Sequence, residues 1–336
     1  MSHPLRGHRQ SGRTGRRWPH RWGLALAVFA VLDVLLVTWA LTVGTPSGQA
    51  REAPLSVATT SVIPTPTAAP AAPAAAVRPH RLLSSLNTTT AWRASTGECP
   101  ASRAAPELST DAGASWTGFD AGNRTGASSV LVVNALNPVE ASLVVLSSAD
   151  CFPHLIATYV AGIDWADYPL RLTGNWYVNP AEPAIVHSPR GAFAAPCPEV
   201  IAVAAQSESV GAVLCPGGRT TTTATAVTST TPTGPAIIRT LDGGASWKPA
   251  VAVPGAVNLA GLSGGGYVIA AAGQAGCAGV QVLTLAEPAA VAATAVGCRE
   301  AAFGPGEVAI ASSPGVLWLW AGAIMCTSID GGATWP

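Results

Sequence analysis

Lysine is nearly absent from this chain of 336 residues, where Lys248 stands alone against seventeen arginines. Asp, Glu, Lys and Arg together make up only 11% of the sequence, and the formal net charge is +0. From residue 81 onward ten basic residues face sixteen acidic ones, a formal charge of −6. A domain so charged argues against nucleic acid or anionic lipid as its partner. The lysine deficit, beside so much alanine and glycine, follows the codon bias of a GC-rich genome and bears on no mechanism. No CxxC pair and no cysteine–histidine cluster occurs, so neither a metal centre nor a cofactor is expected. GxSxG and HExxH are missing too, which removes two common hydrolase signatures. His154 and His187 each stand alone in the sequence, and an isolated histidine reads as a hydrogen-bonded structural residue.

The N-terminus is organised differently from the rest. Residues 1–21 carry Arg6, Arg9, Arg13, Arg16, Arg17 and Arg21 with no acidic residue. The almost wholly apolar segment 22–43 follows, long enough to cross a hydrocarbon core of about 30 Å. This predicts a cytoplasmic basic tail and a single transmembrane helix that anchors the protein in the plasma membrane, with the remainder extracytoplasmic. A cleaved signal peptide would have a shorter apolar core, of about 7–15 residues. Arg16-Arg17 invites a twin-arginine export reading, but Trp18-Pro19-His20-Arg21 fits that signal badly. Asp33 lies near the middle of the helix, where a carboxylate costs about 2.5–3.5 kcal/mol on insertion scales. Either it meets a polar or cationic group on a partner helix, or it marks a self-associating helix, or it is tolerated, or protonated, among many apolar neighbours. Residues 44–80 alternate Ala, Pro and Thr and are read as a disordered, semi-rigid linker.

Beyond the linker an octet recurs, Ser/Thr-x-Asp-x-Gly-x-x-Trp. It occurs in full at Ser109, Asp111, Gly113 and Trp116, at Thr240, Asp242, Gly244 and Trp247, and at Ser328, Asp330, Gly332 and Trp335. A degenerate copy keeps Thr158, Gly162 and Trp165 but has Val160 in place of the aspartate. The hydroxyl and the carboxylate two residues on can accept hydrogen bonds from the turn's own amides. Glycine supplies the positive φ of a tight reversal, and the tryptophan ring closes over it. The aspartates are thus read as turn residues, not general acids.

These octets resemble the Asp boxes (BNR repeats) of sialidase-like β-propellers, a superfamily that includes the photosystem II assembly-factor propellers. The layout also resembles single-pass actinobacterial membrane proteins with an external propeller. The resemblance covers residues 81–336. It implies an all-β fold in which each box joins the third and fourth strands of a blade, as a structural latch away from any catalytic centre. It is unspecific for function.

Spacing tests the blades. Thr240 and Ser328 stand 88 residues apart, two blades of about 44. Strand patterns at Val257–Leu262, Gly266–Ala272, Gly279–Leu285 and Val291–Val296 fill the interval. The longer interval from Thr158 to Thr240 holds two stretches without blade character, Gly174–Gly191 and the threonine-rich run Arg219–Thr233. The expectation is a propeller of about five four-stranded blades, at 81–122, 128–173, 196–254, 256–297 and 300–336. The last stops where its fourth strand should begin. Either a segment near Ala74–Leu86 completes it, or the chain is a truncated fragment.

All seven cysteines lie beyond the linker, where disulfides are the default outside the membrane. Cys277 and Cys298 are symmetric about the turn Ala286–Ala289 and can face each other across a hairpin. Cys197 and Cys215 flank the turn at Gln206–Ser209, and Cys99 and Cys151 precede the third strands of neighbouring blades. Cys326 is left over.

A sialidase-type glycosidase would need three arginines on a carboxylate, a Tyr–Glu nucleophile pair and an acidic general acid. It would also show a Phe/Tyr-Arg-Ile-Pro motif, and the nearest stretch is Arg78-Pro79-His80-Arg81. No catalytic residue is assigned. Trp318 and Trp320 alternate along a strand and read as core, whereas Trp176 and Tyr177 read as surface aromatics able to meet a partner. The reading is a membrane-anchored, non-enzymatic binding or assembly platform for an envelope protein or a cell-wall glycan. A sialidase-like glycoside hydrolase is the alternative.

Overall fold

The computed structural model describes residues 76–217, 234–286 and 290–336. The predicted tail and anchor with Asp33, nearly all of the linker, and the run 219–233 lie outside the described residues. Among the described residues no helix is long and apolar enough to cross a membrane.

Strands meet in antiparallel sheets whose order follows the chain. Blade 1 holds β1 (Arg81–Ser85), β2 (Ala91–Ser95), β3 (Glu107–Ser109) and β4 (Thr117–Gly118). Blade 2 holds β5 (Ala127–Ala135), β6 (Ala141–Ser147), β7 (Pro153–Thr158) and β8 (Ala166–Asp167). A hairpin follows, of β9 (Ile185–Ser188) and β10 (Gly191–Ala194). Blade 3 holds β11 (Ala202–Ala205), β12 (Gly211–Cys215), β13 (Ala236–Thr240) and β14 (Val251–Ala252). Blade 4 holds β15 (Ala256–Gly261), β16 (Tyr267–Ala271), β17 (Gly279–Leu285) and β18 (Thr294–Glu300), its last strand three residues later than the pattern suggested. Blade 5 holds β19 (Val308–Ser313), β20 (Val316–Ala321) and β21 (Ile324–Ser328). The described residues form a five-bladed β-propeller, with the full octets following the third strands of blades 1, 3 and 5.

Second strands explain why the blades stand radially. β12 and β16 are buried along their whole length, and β6 along all but its last residue. A strand apolar on both faces needs a neighbouring sheet on each side, and a ring of blades provides both. The apolar core is accordingly divided into seams. Trp92, Leu143 and Ile156 lie between blades 1 and 2. Leu214, Ile237 and Tyr267 lie between blades 3 and 4, and Val282, Leu317 and Leu319 between blades 4 and 5.

Gly174–Gly191 forms no blade, as expected, but it carries a small sheet of its own: Tyr177 bridges to His187 on β9, and β9 pairs with β10. This small sheet is a wedge between blades 2 and 3. Tyr177 packs on Val144, Leu155 and Ala157 of blade 2, and Trp176 packs on Val213, Cys215 and Ile238 of blade 3. Trp176 and Tyr177 are therefore buried, not surface aromatics. Sequence reasoning missed this because the segment carries no octet and too many prolines to look like a sheet.

Ring closure is the second correction. Residues 81–85 do not complete blade 5; they form β1 and pair with β2. Blades 5 and 1 instead meet face to face. Ala91 packs with Ala311, Val316 and the fully buried Trp318, whose indole N–H donates to the Asn87 carbonyl at 2.8 Å. Ser85 and Ser313 join hydroxyls across the seam at 3.2 Å. Arg81 and Arg93 both lie over the Trp320 ring, 4.5 and 4.7 Å from its centroid, and Arg93 also lies 4.2 Å from Trp116. Of the two tryptophans expected in the core, Trp318 is, while Trp320 is half-buried under the two guanidiniums.

The disulfides join Cys99 to Cys151, Cys197 to Cys215 and Cys277 to Cys298, leaving Cys326 free and buried. The first links blades 1 and 2. The third is not a cross-strand pair, because Cys298 stands opposite Gln281 and Cys277 precedes β17. By topology all three lie towards the face that carries the β2–β3, β6–β7 and β16–β17 connections. The octet turns lie on the opposite face.

Replacing Trp320 by Leu is expected to cost about 1–2 kcal/mol by removing two cation–π contacts, and Trp318→Ala about 3–5 kcal/mol by opening the seam. Urea unfolding checks both, and equal losses would contradict the assignment of packing to one ring and cation–π contact to the other. Thiol titration is expected to find one reactive cysteine per chain in denaturant and none in the folded protein.

Candidate functional site

Two features gather polar chemistry: the octet turns and the channel on the ring axis. In the first octet the Ser109 hydroxyl accepts from the Gly113 amide at 2.9 Å and donates to Asp111 Oδ1 at 2.8 Å. That same oxygen accepts from the Ser115 amide at 2.9 Å. Thr240 with Asp242, and Ser328 with Asp330, repeat this network. Two successive residues take positive φ in each turn, Ala112 and Gly113 at 62° and 86° in the first. The second of the two is glycine in every copy, including Gly162 at 88°.

Each octet also ties blades together. Ala112 donates to the carbonyl of Thr89, and Gly243 to that of Ser209, so the turn is bonded to the first hairpin of its own blade. The tryptophan reaches the preceding position of the ring. Trp116 meets Trp318 edge-on at 6.4 Å, and Trp165 meets Trp92 at 5.8 Å. Trp247 donates to the Ala194 carbonyl of the wedge at 3.1 Å, and Trp335 packs against the seam of blades 4 and 5. The wedge thus receives blade 3's tryptophan as a full blade would.

These hydrogen bonds hold the carboxylates ionised. Asp111 is lowered from its ordinary 3.8 to about 2, first by the Ser115 hydroxyl and then by the Ser115 amide and Ser109 hydroxyl. Asp242 is lowered by Ser246 and Thr240, and Asp330 by Ser328 and Thr334. An acid held this firmly in the charged form is a poor proton donor near neutrality.

The channel has a volume of about 610 Å³ and is lined by the five inner strands together with residues 174–178 of the wedge. Its polar groups are mainly neutral, among them Ser84, Asn134, Asn175, Gln206, Asn258 and Ser312. Asn134 donates to Asn175 at 2.9 Å, and Asn258 donates to the Val308 carbonyl at 2.8 Å. Among the described residues its charged side chains are Arg78, Arg81 and Glu208. Arg78 donates to the Val200 carbonyl, while Arg81 donates to the carbonyls of Glu307 and Gly322 and pairs with the Glu307 carboxylate at 3.7 Å. Burial lowers both guanidinium pKa values, Glu199 and Glu307 opposing it.

One mouth is covered by the chain itself. Ala76 packs against the seam of blades 3 and 4, Arg78 reaches Val200, and the His80 amide donates to the Gly306 carbonyl. The mouth on the octet face is bordered by Leu136, Ser207 and Glu208.

The remaining candidates are scattered. His187 stacks on Tyr177 with ring centroids 4.3 Å apart, and burial lowers its pKa while raising that of the tyrosine. Neither nitrogen of His154, nor Nε2 of His187, meets a protein hydrogen-bond partner among the described residues. No group of three or more metal-ligating side chains occurs among the described residues.

No protein-family model matches the chain, and no curated protein matches its sequence. Solved structures of related topology include YCF48 bound to D1 peptide, at 15% identity and TM-score 0.29, over 77% of this chain and 80% of that one. A Hadza microbial sialidase matches at 12% identity and TM-score 0.35, over 77% of this chain and 57% of that one. A GH74 xyloglucanase from Xanthomonas campestris matches at 19% identity and TM-score 0.30, over 76% of this chain but 37% of its own length.

Because Asp111 is depressed in the folded state, its charged form contributes stability above pH 3.8 that is lost as pH falls towards about 2. Asp242 and Asp330 act in the same direction. The triple variant Asp111→Asn, Asp242→Asn, Asp330→Asn is expected to be less stable at neutral pH and to lose less on acidification. Denaturant unfolding at stepped pH measures this; an unchanged acid slope would contradict it.

Proposed function

We propose that this is a single-pass plasma-membrane protein with a cytoplasmic N-terminus, whose extracytoplasmic Asp-box propeller is a non-enzymatic binding or assembly platform. Its partner is another envelope protein or a cell-wall glycan. The observation that carries this reading is the state of the polar groups. The octet carboxylates are consumed in turn hydrogen bonds, and the channel offers amides and hydroxyls that bind through neutral contacts. Arg78 and Arg81 are already committed to backbone carbonyls, so neither is poised to grip a substrate carboxylate. The anchor rests on the basic tail and the apolar segment 22–43, and Asp33 within it is the proposed helix-partner contact.

In-cell crosslinking and co-purification of the full-length protein beside Asp33→Leu tests the platform. A dominant membrane partner is expected, captured several-fold less by the variant. Absence of any protein partner with either form would sink the protein-platform reading and direct the search to glycans and glycosidase substrates.

A further inference from the structure

Blade 2 departs from the other octet-bearing blades in a way that stability does not explain. Its turn places Val160 where the others have a hydrogen-bonded aspartate, and Ile163 where they have alanine. Thr158 still accepts from the Gly162 amide at 2.9 Å, so the reversal itself is intact. The side chains are not buried in exchange: Val160 is 47% exposed and Ile163 83%. The turn is joined to the blade's first hairpin by the Ala161 amide on the Val139 carbonyl, and that hairpin exposes Leu136 and Val139. Beside it the 3-10 helix Pro169–Gly174 presents Leu170, 92% exposed. Val139 and Val160 are thus exposed on two turns joined by a hydrogen bond, with Arg171 beside them through Tyr159, and exposed apolar surface of this kind marks an interaction site.

Charge indicates the occupant. Arg171 is exposed, lies over the rings of Tyr159 and Tyr168 at 5.8 and 5.4 Å, and donates to the Tyr159 hydroxyl. The tyrosines themselves meet edge-on at 5.7 Å. No carboxylate pairs with Arg171 among the described ion pairs, so an ordered guanidinium stands beside apolar side chains ready for an anion. Residues 76–80 lie across the other mouth, so the patch is on the opposite face of the propeller from that segment. Leu136 also borders the open channel mouth, making the two surfaces continuous.

We propose that the octet-face surface of blade 2, centred on Val160 with Arg171 at its edge, docks a segment of a partner protein that carries apolar side chains and a carboxylate. This deepens the platform reading, on which it rests, by giving it a surface and a ligand chemistry.

The test uses the full-length protein in lipid nanodiscs and three fluorescent synthetic peptide pools: apolar–acidic, apolar–basic and polar–acidic. Anisotropy is expected to show preference for the apolar–acidic pool. That pool should slow hydrogen exchange in residues 136–140 and 158–174. Val160→Asp should weaken binding about tenfold or more. Asp164 stands where the other octets have Ser115, Ser246 and Thr334, so the uncharged Val160→Asn is the fold control and should weaken binding without lowering the thermal midpoint. Arg171→Ala should weaken the acidic pools selectively. Equal binding of the basic pool, or binding insensitive to Val160→Asp, would overturn the proposal. So would protection of the same segments by raised protein concentration alone or by lipid. A crosslinked envelope partner retained by Val160→Asp would overturn the patch and leave the platform. Loss of all partners with peptide binding intact would do the reverse.

Discussion

A propeller stands or falls on the contact that closes its ring. Among the described residues no strand of blade 1 joins blade 5, and the two blades are held by side chains and by the bond from the His80 amide to the Gly306 carbonyl. Trp318 fills the interior of that seam, and Trp320 lies against Arg81 and Arg93 at its margin. The two contacts differ in kind. Buried indole surface gains from leaving water, whereas the guanidiniums gain from the ring's quadrupole while remaining partly hydrated. Arg81 has a second duty, since its bonds to the Glu307 and Gly322 carbonyls fix the leading segment across one mouth of the channel.

The wedge between blades 2 and 3 solves the complementary problem. With five blades and one broader interval, two middle-strand faces would lie open. Tyr177 covers one and Trp176 the other, a division possible because successive residues of an extended segment point to opposite sides. The two faces of the propeller are then stabilised by different means. Octet hydrogen bonds, which depend on ionised aspartates, secure one face, and disulfides, indifferent to acid, secure the other. That division leaves the octet face free to vary at blade 2, where the carboxylate is absent and apolar side chains reach solvent.

Much of this was legible in the residues themselves. The octets announced tight hairpin turns because hydroxyl, carboxylate, glycine and tryptophan act over eight consecutive positions, and such local chemistry needs no knowledge of the rest of the chain; that they follow third strands was implied by the resemblance alone. The three cysteine pairs were legible for a related reason, each lying close to a strand connection recognisable in the sequence. For Cys277 and Cys298 the partner was right and the geometry was not, because the bulge and register of β17 and β18 are decided by packing rather than by counting from the turn.

What the sequence by itself determined was the kind of unit: short strands, latched turns and a repeat that calls for radial blades. What only the tertiary structure decided was how those units meet. Trp176 and Tyr177 looked like surface aromatics because nothing near them in sequence shows the open faces of blades 2 and 3 that bury them. Arg81, Arg93 and Trp320 come from opposite ends of the propeller, so no window of sequence contains their ladder. Octets depend on neighbours a few residues away and can be read along the chain. Seams, channel and docking surface depend on residues brought together by ring closure, and they exist only once the ring has closed.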